Sequence, residues 1–356
     1  MRRATSGKVA ALGVPLTLRP MEARAAADLP AGAGWQYEPK WDGFRCLAFR
    51  AEGEVEIRAK SGKSLSRFFP EVLQQLGALA ARHFVLDGEL TIASNGTISF
   101  EALQARLHPA ASRIRQLAAA TPATFIAFDC LLCAPGQPLL SQPFARRRAR
   151  LDRVFAPAFG KTGGLALTPF TRDLAEARRW LYHRHTSLDG VLAKRLDLPY
   201  QPGVRGMLKV KCLRTADCVV GGFRYEAGSR LVGSLLLGLY DEAGLLNHVG
   251  FTSSIPAEAK PDLTRRLEKL VAAPGFTGAA PGGPSRWSTP RASQWQPLRP
   301  RLVVEVRYDH VSGQRFRHGT KLVRWRPDKS PRQCTFEQLA QAKALASAPS
   351  LDILRA

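Results

Sequence analysis

The chain has 356 residues, of which 45% are hydrophobic, so it is long enough for two domains that each bury an apolar core. Its 52 lysines and arginines outnumber its 29 acidic residues and give a formal charge of +23, which favours a polyanionic partner such as nucleic acid; a solvated basic surface is the alternative. No stretch approaches the roughly 20 apolar residues of a membrane span, and Gly13 and Pro15 interrupt the apolar run near the N-terminus, so we expect a cytoplasmic protein.

The first part of the sequence alternates short strands with helices. Strands are predicted where apolar and polar residues alternate with a period of two, at 44–50, 54–58, 84–92 and 124–132. Helices are predicted where the period is helical, at 142–155 and 173–185. This mixture predicts an α+β domain.

Beyond about residue 212 the pattern is dominated by strands. Five strands are predicted, at 217–224, 231–240, 245–252, 301–307 and 321–326, with one helix at 257–272. The spacing is typical of a small β-barrel. The Gly/Pro-rich stretch 273–287 predicts a long loop, and Thr335 with Gln338 has the spacing of a capping box for a final helix. We therefore predict two domains, 1–211 and 212–356.

Six cysteines are scattered along the chain, at positions 46, 130, 133, 212, 218 and 334. Cys130 and Cys133 lie inside the apolar stretch "FIAFDCLLC", and no second pair has the spacing that completes a zinc site. We expect reduced core residues.

The densest basic run spans residues 301–332, with nine lysines and arginines against three acidic residues. Tyr308, Phe316 and Trp325 are interleaved with it, a mixture suited to backbone phosphates and stacked bases. The alternative is a basic strand pair that faces solvent.

One lysine stands out in "YEPKWDGFRCLAFR", residues 37–50, because it directly precedes an aromatic residue, an aspartate and a glycine at the start of a strand. A lysine amine becomes a nucleophile when it loses its proton, which burial and neighbouring positive charges favour. Lys209 and Lys211 lie on one face of a strand at a spacing of two and would supply such charge or bind a phosphate. Lys40 is therefore a candidate nucleophile.

Three carboxylates, those of Asp42, Glu89 and Asp189, lie beside glycines at strand ends. A divalent metal ion or a ribose hydroxyl would reach them there. Asp-Gly pairs are also common turn signals, so each carboxylate alone is a weak indication. Their repetition, twice close to a lysine or arginine, favours a site.

Seven segments, taken in order, resemble the motif series of the ATP-dependent DNA ligases, a branch of the covalent nucleotidyltransferases. They are "KWDGFR" (40–45), "AKSGKSL" (59–65), "LDGEL" (86–90), "FIAFDCL" (125–131), "LDGVLAKR" (188–195), "LKVK" (208–211) and "RWRPDK" (324–329). One such motif is a weak signal, but seven in order, over about residues 19–345, are specific. The ending "VVEVRYDHVSGQRFRHGTKLVRWRPDKSP" and the short stretch before Lys40 most resemble the small bacterial ligases called ligase C.

The resemblance implies a fold and an activity. The fold would be a nucleotidyltransferase domain of the ATP-grasp-like ligase type followed by a β-barrel OB-fold domain. The activity would be the sealing of nicks in duplex DNA with ATP and Mg²⁺ or Mn²⁺, through a lysine–AMP intermediate and a 5′-adenylylated DNA, in DNA repair. A monomer, and a repair polymerase or primase-polymerase as partner, are expected by the same association.

The resemblance also assigns roles to single residues. Lys40 would attack the α-phosphate of ATP, and Lys209 and Lys211 would stabilise the charge that develops on it. Phe128 would stack on adenine, Arg45 and Glu89 would hold the ribose, and Glu38 would lie near the adenine amino group. Further nucleotide contacts are expected from Asp42, Lys60 and Lys194, metal binding from Glu89 and Asp189, and orientation of pyrophosphate from Arg324, Arg326 and Lys329.

Two positions depart from the wider family. Lys60 stands where many ligases have arginine, which loses bidentate geometry but keeps a phosphate or ribose contact. Asp189 stands where many have glutamate, so metal binding through a water is as plausible as direct coordination.

Two other functions remain open at this point. An RNA ligase or mRNA-capping guanylyltransferase shares the lysine chemistry, although Phe128 and the segment after residue 301 favour a DNA ligase. A noncatalytic nucleic-acid-binding protein with a degenerate transferase fold would be expected to lack Lys40, Glu89 or Lys209, and all three are present.

Overall fold

The computed structural model describes residues 7–94, 97–133, 137–159, 163–182, 188–282 and 294–339. The described residues form two compact units, the first ending at Cys212 and the second beginning at Leu213. The boundary predicted from the sequence lies one residue earlier. Within the described part of the chain, no helix has both the length and the apolar character needed to cross a membrane.

The strands of the first unit form two sheets. They are β1 (Ala23–Ala25), β2 (Trp35–Lys40), β3 (Phe44–Ala51), β4 (Glu54–Ala59), β5 (His83–Ser94), β6 (Thr97–Ile98), β7 (Ala123–Cys133), β8 (Leu165–Leu167), β9 (Gly190–Arg195) and β10 (Met207–Lys211). One sheet has the order β4-β3-β5-β7-β8, with β6 paired to β5, and the other has the order β1-β10-β9-β2. The four strands predicted in this region are confirmed, each slightly longer than expected.

The helices of the first unit are α1 (Gly7–Ala10), α2 (Pro70–Ala78), α3 (Phe100–Ala105), α4 (Ala111–Ala120), α5 (Phe144–Phe155) and α6 (Leu174–Tyr182). The prediction of α5 is confirmed. The predicted helix 173–185 is confirmed as α6 up to Tyr182, and residues 183–185 lie outside the described part. Together these elements give the α+β architecture that was predicted.

Helix α5 packs against β7 through an apolar stripe that includes Leu151 and Phe155, both buried. Its arginines are not all solvent-facing, because Arg147 donates two hydrogen bonds to the buried Asp129, at 2.8 and 2.9 Å. Burying a charged pair costs desolvation energy that this bidentate geometry offsets. The pair fixes β7 next to Phe128.

The small sheet of the first unit determines where the lysines lie. Lys40, the last residue of β2, pairs with Gly190 on β9, and Gly190 pairs in turn with Lys211 on β10. A Cβ atom at Gly190 would come within 2.1 Å of the carbonyl oxygen of Val210. Glycine is therefore required for β9 to approach β10 this closely.

The second unit is dominated by a curved antiparallel sheet. Its elements are β11 (Arg214–Tyr225), β12 (Val232–Tyr240), β13 (Leu246–Thr252), α7 (Lys260–Glu268), β14 (Gln296–Pro297), β15 (Val303–Tyr308), β16 (Val311–Ser312), β17 (Arg315–Phe316) and β18 (Lys321–Trp325). The strand order is β13-β12-β11-β15-β18, with β14 paired to β11. The five predicted strands are confirmed.

The sheet of the second unit curves so far that its two ends meet. A single bridge joins Thr252, at the end of β13, to Thr320, just before β18. The amide of Thr320 donates to the carbonyl of Phe251 at 2.9 Å, and the hydroxyl of Thr252 donates to the carbonyl of Thr320 at 3.0 Å. One bridge therefore links the two ends of the sheet, and this strong curvature agrees with the predicted OB-fold type.

Two predictions about the second unit need correction. The predicted helix 257–272 is a 3₁₀ turn, Ala257–Ala259, followed by α7, which ends four residues before the predicted end. Residues 273–282 contain neither helix nor strand, as expected of a long loop, and residues 283–287 lie outside the described part.

The predicted capping box at Thr335 and Gln338 is wrong. The side-chain oxygen of Gln338 accepts from the amide of Asp217 at 2.9 Å, and its side-chain nitrogen donates to the Asp217 carbonyl at 3.1 Å. A capping box lies instead at Ser330 and Gln333, at the start of a 3₁₀ turn. The side chain of Gln338 therefore makes a tertiary contact to β11 instead of the predicted cap, and the part of the predicted final helix beyond residue 339 lies outside the described residues.

All six cysteines are buried and reduced, as the sequence indicated. Cys130 and Cys133 belong to the apolar core of the first unit, on β7.

Candidate active site

A cavity of about 210 Å³ opens in the first unit beside the end of β2. Its wall comes from both sheets and from the segment 20–23 that leads into β1. Six residues predicted for the site line it: Lys40, Arg45, Lys60, Glu89, Phe128 and Lys209. The fold therefore brings together residues that are up to 169 positions apart in the sequence.

The position of Lys40 is fixed by its neighbour Trp41 and by the carboxylate of Asp189. The indole nitrogen of Trp41, which is buried, donates to the hydroxyl of Thr168 at 3.0 Å. The amine of Lys40 forms an ion pair with Asp189, whose backbone amide donates to the Lys40 carbonyl at 3.1 Å. The Lys40 side chain is 23% exposed, so a ligand in the cavity has access to its amine.

Asp189 lies between two lysines. Its second carboxylate oxygen is 3.9 Å from the amine of Lys211, and its carbonyl accepts from the amide of Cys212 at 3.0 Å. The carboxylate predicted to help bind a metal ion is therefore in contact with the predicted nucleophile.

Lys209 is the second amine of the cavity. Burial lowers its pKa, and the positive charges of Lys40 and Lys211 lower it further. A group whose charged form is disfavoured by its protein surroundings gains most from an incoming phosphate, since the negative charge of the phosphate stabilises it. Lys209 and Lys211 lie two residues apart on β10, as predicted.

Arg45 is held by a carboxylate that the sequence analysis did not select. Asp87, which is completely buried, accepts from Nε of Arg45 at 3.0 Å and from Nη2 at 2.7 Å. The negative charge of Asp87 raises the pKa of Arg45 above its usual value, against the effect of burial. The guanidinium then lies 5.0 Å from the centre of the Phe128 ring. Asp87 is part of the motif "LDGEL", so the signal was present, but the motif was used only for Glu89.

Glu38 and Lys194 lie next to the cavity without lining it. Glu38 is buried, 2.5 Å from the amine of Lys194 and 2.9 Å from the side-chain nitrogen of Gln36, with Arg148 at 3.6 Å. The Lys194 amine is 4.5 Å from the centre of the Phe128 ring. These groups form a charged layer around the ring that is predicted to stack on adenine.

Glu89 and Lys60 complete the wall. Burial raises the pKa of Glu89 to about 8, against the positive charges of Lys40 and Arg45; the negative charges of Asp87 and Asp42 contribute to the increase. Asp42 is therefore close to Glu89. Lys60 is paired with Glu22 at 3.1 Å on the opposite wall and lowers the pKa of that carboxyl.

The carboxylates fit one kind of metal site. Among the described residues, no three histidine, cysteine or acidic side chains are grouped so that they would hold a metal ion by themselves. Mg²⁺ commonly takes one or two carboxylates and completes its coordination with substrate phosphates and water. Glu89 and Asp189 match that donor set. Asp189 forms an ion pair with Lys40, and the charge of Lys40 also acts on Glu89.

The three cations of "RWRPDK" lie in the second unit and are all paired. Arg326 donates to Asp217 at 2.8 Å and to Asp328 at 2.8 Å, and it lowers the pKa of Asp328 to about 2. Lys329 contacts Asp217 at 2.7 Å. Arg324 pairs with Glu305 at 2.7 Å and is largely exposed. Asp217 was not selected from the sequence because nothing near β11 resembles a motif.

Glu89 generates a prediction about pH. An unfolded carboxyl ionises near 4.5, whereas Glu89 in the folded chain ionises near 8. Between these values the folded state keeps a proton that the unfolded chain has lost, so stability falls as the pH rises through this window. We predict that the free energy of unfolding of Glu89→Gln rises relative to that of wild type by up to about 1 kcal/mol per pH unit between these two pKa values. Above the pKa of folded Glu89 the difference should become constant. Urea unfolding of the ligand-free protein measures the difference, and a difference that stays constant between the two pKa values would contradict the raised pKa.

Comparison with known proteins agrees with this geometry. The profile of the ATP dependent DNA ligase domain matches residues 20–211, and the profile of the ATP dependent DNA ligase C terminal region matches residues 228–329. DNA ligase C2 of Mycolicibacterium smegmatis is 45% identical over 336 residues, covering 90% of this chain and 93% of that protein. DNA ligase C of Mycobacterium tuberculosis is 43% identical over 335 residues, with the same two coverages.

A solved structure from a structure-function analysis of Lig E DNA ligases matches with a TM-score of 0.51 at 18% identity. It covers 86% of this chain and 99% of that one, and it is similar in fold alone. The two profiles and the extent of the identity lead to one conclusion: the chain belongs to the ATP-dependent DNA ligases and is of the small bacterial ligase C type.

Proposed function

We propose that this ligase seals nicks in duplex DNA through AMP carried on Lys40. The observation that supports the proposal most directly is the cavity of the first unit, which holds the Lys40 amine together with Arg45, Lys209 and the Phe128 ring. An aromatic face, a guanidinium and two amines are the groups that a purine nucleotide with phosphates requires. ATP is the nucleotide that the family uses.

The first step exchanges one bond to phosphorus for another. Nζ of Lys40 attacks the α-phosphorus of ATP, an N–P bond forms, and the P–O bond to pyrophosphate breaks. The amine must lose its proton, and Asp189, which contacts it, is placed to accept that proton. Lys209, whose pKa is lowered by burial and by the neighbouring lysines, would stabilise the negative charge that develops on the α-phosphate.

The two later steps return the lysine and join the strands. A 5′-phosphate oxygen at the nick attacks the same phosphorus, so that AMP passes from Lys40 to the DNA. The 3′-hydroxyl then attacks the activated 5′-phosphate, a phosphodiester bond forms, and AMP leaves. No further nucleotide is consumed in these steps.

Nucleotide contacts follow from the geometry around Phe128. Adenine would stack on its ring, with Arg45 near the ribose and Lys60 near a phosphate or the ribose. Glu38 contacts Lys194 and Gln36, and these contacts orient its carboxylate. The adenine amino group is a hydrogen-bond donor, which that carboxylate would accept.

A divalent cation, Mg²⁺ or Mn²⁺, is part of the proposal. Glu89 and Asp189 would hold it together with the phosphates of ATP. When bound, it neutralises phosphate charge. The raised pKa of Glu89 fits this role, because burial disfavours its charged form more than Lys40 and Arg45 favour it. A divalent cation would add the positive charge that stabilises the carboxylate.

Nicked duplex DNA is the proposed substrate because the chain carries a charge of +23 and its densest basic run, 301–332, belongs to the second unit. Phosphate contacts of this kind bind DNA with little sequence preference. A role in DNA repair, a repair polymerase or primase-polymerase partner, a monomeric state and a location with the nucleoid in the cytoplasm remain predictions of the same proposal.

Lys40 provides the first test of the proposal. We predict that Lys40→Ala forms no covalent adenylate with α-labelled ATP, because the attacking amine is gone. The variant should still fold, with a lowered melting temperature, because Asp189 loses its pair with Lys40 but keeps Lys211 at 3.9 Å. Lys269→Ala, an exposed lysine at the end of α7, is the matched control and should be labelled normally. Covalent AMP on the Lys40→Ala protein would show that another residue is the nucleophile.

Lys209 provides the second test. Replacing it with alanine should slow adenylate transfer in a single turnover roughly 100-fold, because one cation that faces the developing charge is lost. Quenched-flow measurement of Lys40–AMP formation at saturating ATP gives the rate. A rate close to that of wild type would mean that Lys209 contributes only to the strand surface.

The cations of "RWRPDK" provide the third test, because orientation of pyrophosphate matters only while Lys40 attacks ATP. We predict that Lys329→Ala and Arg326→Ala sharply reduce Lys40–AMP formation but still seal a nick supplied with AMP already on its 5′ end. Arg326→Ala also leaves Asp217 and Asp328 without their shared partner, so its unfolding must be measured in parallel. Normal adenylylation with failed sealing would assign the segment to DNA binding.

A further inference from the structure

A buried tyrosine next to the cavity has no role so far. Tyr200 lies between β9 and β10 and is 4% exposed. Its hydroxyl accepts from the amide of Met21 at 3.0 Å and donates to the carboxylate of Asp87 at 2.6 Å. One oxygen atom thus connects two segments that are distant from it in the sequence.

Both of those segments lead to the cavity. Met21 lines it directly. Asp87 reaches it through Arg45, which it holds by two hydrogen bonds, at 3.0 and 2.7 Å, and Arg45 lines the cavity above Phe128. The Tyr200 hydroxyl therefore connects the backbone at Met21 to the guanidinium of Arg45 through Asp87.

The donor to Asp87 has an identifiable effect on Arg45. The Asp87 oxygen that accepts from Tyr200 is the one that also accepts from Nη2 of Arg45. Two donors on one oxygen fix the orientation of the carboxylate. Because Arg45 is bound to that carboxylate by two hydrogen bonds, the orientation of its guanidinium is fixed as well. Burial and the neighbouring Asp87 raise the pKa of Tyr200 well above its usual value, so the hydroxyl keeps its proton and remains a donor.

The ring of Tyr200 is held from the other side as well. The guanidinium of Arg147 lies 5.5 Å from the ring centre and is itself paired with Asp129, the residue after Phe128. The ring cannot turn without disturbing that buried pair. The hydroxyl is thereby kept at Asp87.

We propose that Tyr200 is a positioning residue for the nucleotide: through Asp87 it fixes the guanidinium of Arg45 over Phe128 and the wall at Met21 beside it. The inference rests on the proposed function in one respect, namely that Arg45 contacts ATP. Tyr200 itself touches neither ATP nor the reacting atoms.

Tyr200→Phe tests the proposal because it removes the hydroxyl and leaves the ring. The KM for ATP in Lys40–AMP formation should rise about fivefold, the order of effect of one lost hydrogen bond, with less than a twofold change in the maximal rate. Tyr37→Phe is the matched control, since its hydroxyl is also buried in the first unit but donates to the carbonyl of Pro30 at 2.6 Å. It should leave the KM unchanged.

A second measurement shows whether Tyr200 acts through Arg45. Arg45→Lys keeps the charge next to Asp87 and removes the bidentate geometry. In that background Tyr200→Phe should add no further increase in KM, because the geometry it protects is already lost. A wild-type KM in Tyr200→Phe, or a full fivefold increase on top of Arg45→Lys, would overturn the proposal.

Equilibrium binding of ATP to Lys40→Ala proteins separates this inference from the proposed function, because it needs no chemistry. If Arg45→Lys weakens ATP binding and Tyr200→Phe does not, the inference about Tyr200 fails while the nucleotide site stands. If neither weakens it, Arg45 is not a nucleotide contact, and both the assignment of Arg45 and the inference fail. Weakening by both, without additivity, supports both.

Discussion

Buried charge in the first unit is stabilised by pairing, and the arrangement of the site depends on that constraint. An isolated ion in a protein interior costs several kcal/mol, so each buried cation near the cavity needs a carboxylate. Lys40 has Asp189, Arg45 has Asp87, and Lys194 has Glu38. The pairs hold Arg45 and Lys194 next to the Phe128 ring and Lys40 in the wall of the same cavity. A site prepared in this way needs little reorganisation when the reaction begins.

Lys209 and Glu89 differ from these paired residues, because their surroundings disfavour their charged forms, and this difference suits the proposed chemistry. Lys209 has a lowered pKa and Glu89 a raised one, because burial opposes the charge of each. ATP phosphates would bring negative charge to the lysine, and a divalent cation would bring positive charge to the glutamate. The protein alone thus disfavours the two charges that its proposed ligands would stabilise. In the second unit the opposite holds: Arg326 and Lys329 are already neutralised by Asp217 and Asp328, so phosphate oxygens would have to compete with carboxylates for them.

The sequence was sufficient for the parts of the molecule that depend on local pattern or on a motif. The long strands β3, β5 and β7 follow from their local hydrophobic pattern, and the lysines were found because "KWDGFR" and "LKVK" belong to a specific motif series. Strands β1, β2 and β9 are too short or too irregular for periodicity to show them, and β10 was predicted only around Lys209 and Lys211. These four strands form the sheet that carries Lys40. Asp87, Asp217 and Tyr200 were missed because their importance lies in partners 42 to 179 residues away. Gln338 shows the same limit, since a contact to β11 overrode its local capping pattern.

The central claim is that one AMP on Lys40 is sufficient to seal one nick. The direct measurement loads the enzyme with α-labelled ATP, removes all free nucleotide, and then adds a nicked duplex and Mg²⁺ in a single turnover. The account predicts that the label moves from protein to the 5′ end of the DNA and is then released as AMP, with one strand joined for each labelled enzyme. Label that stays on the protein, or that is released without a joined strand, would contradict it.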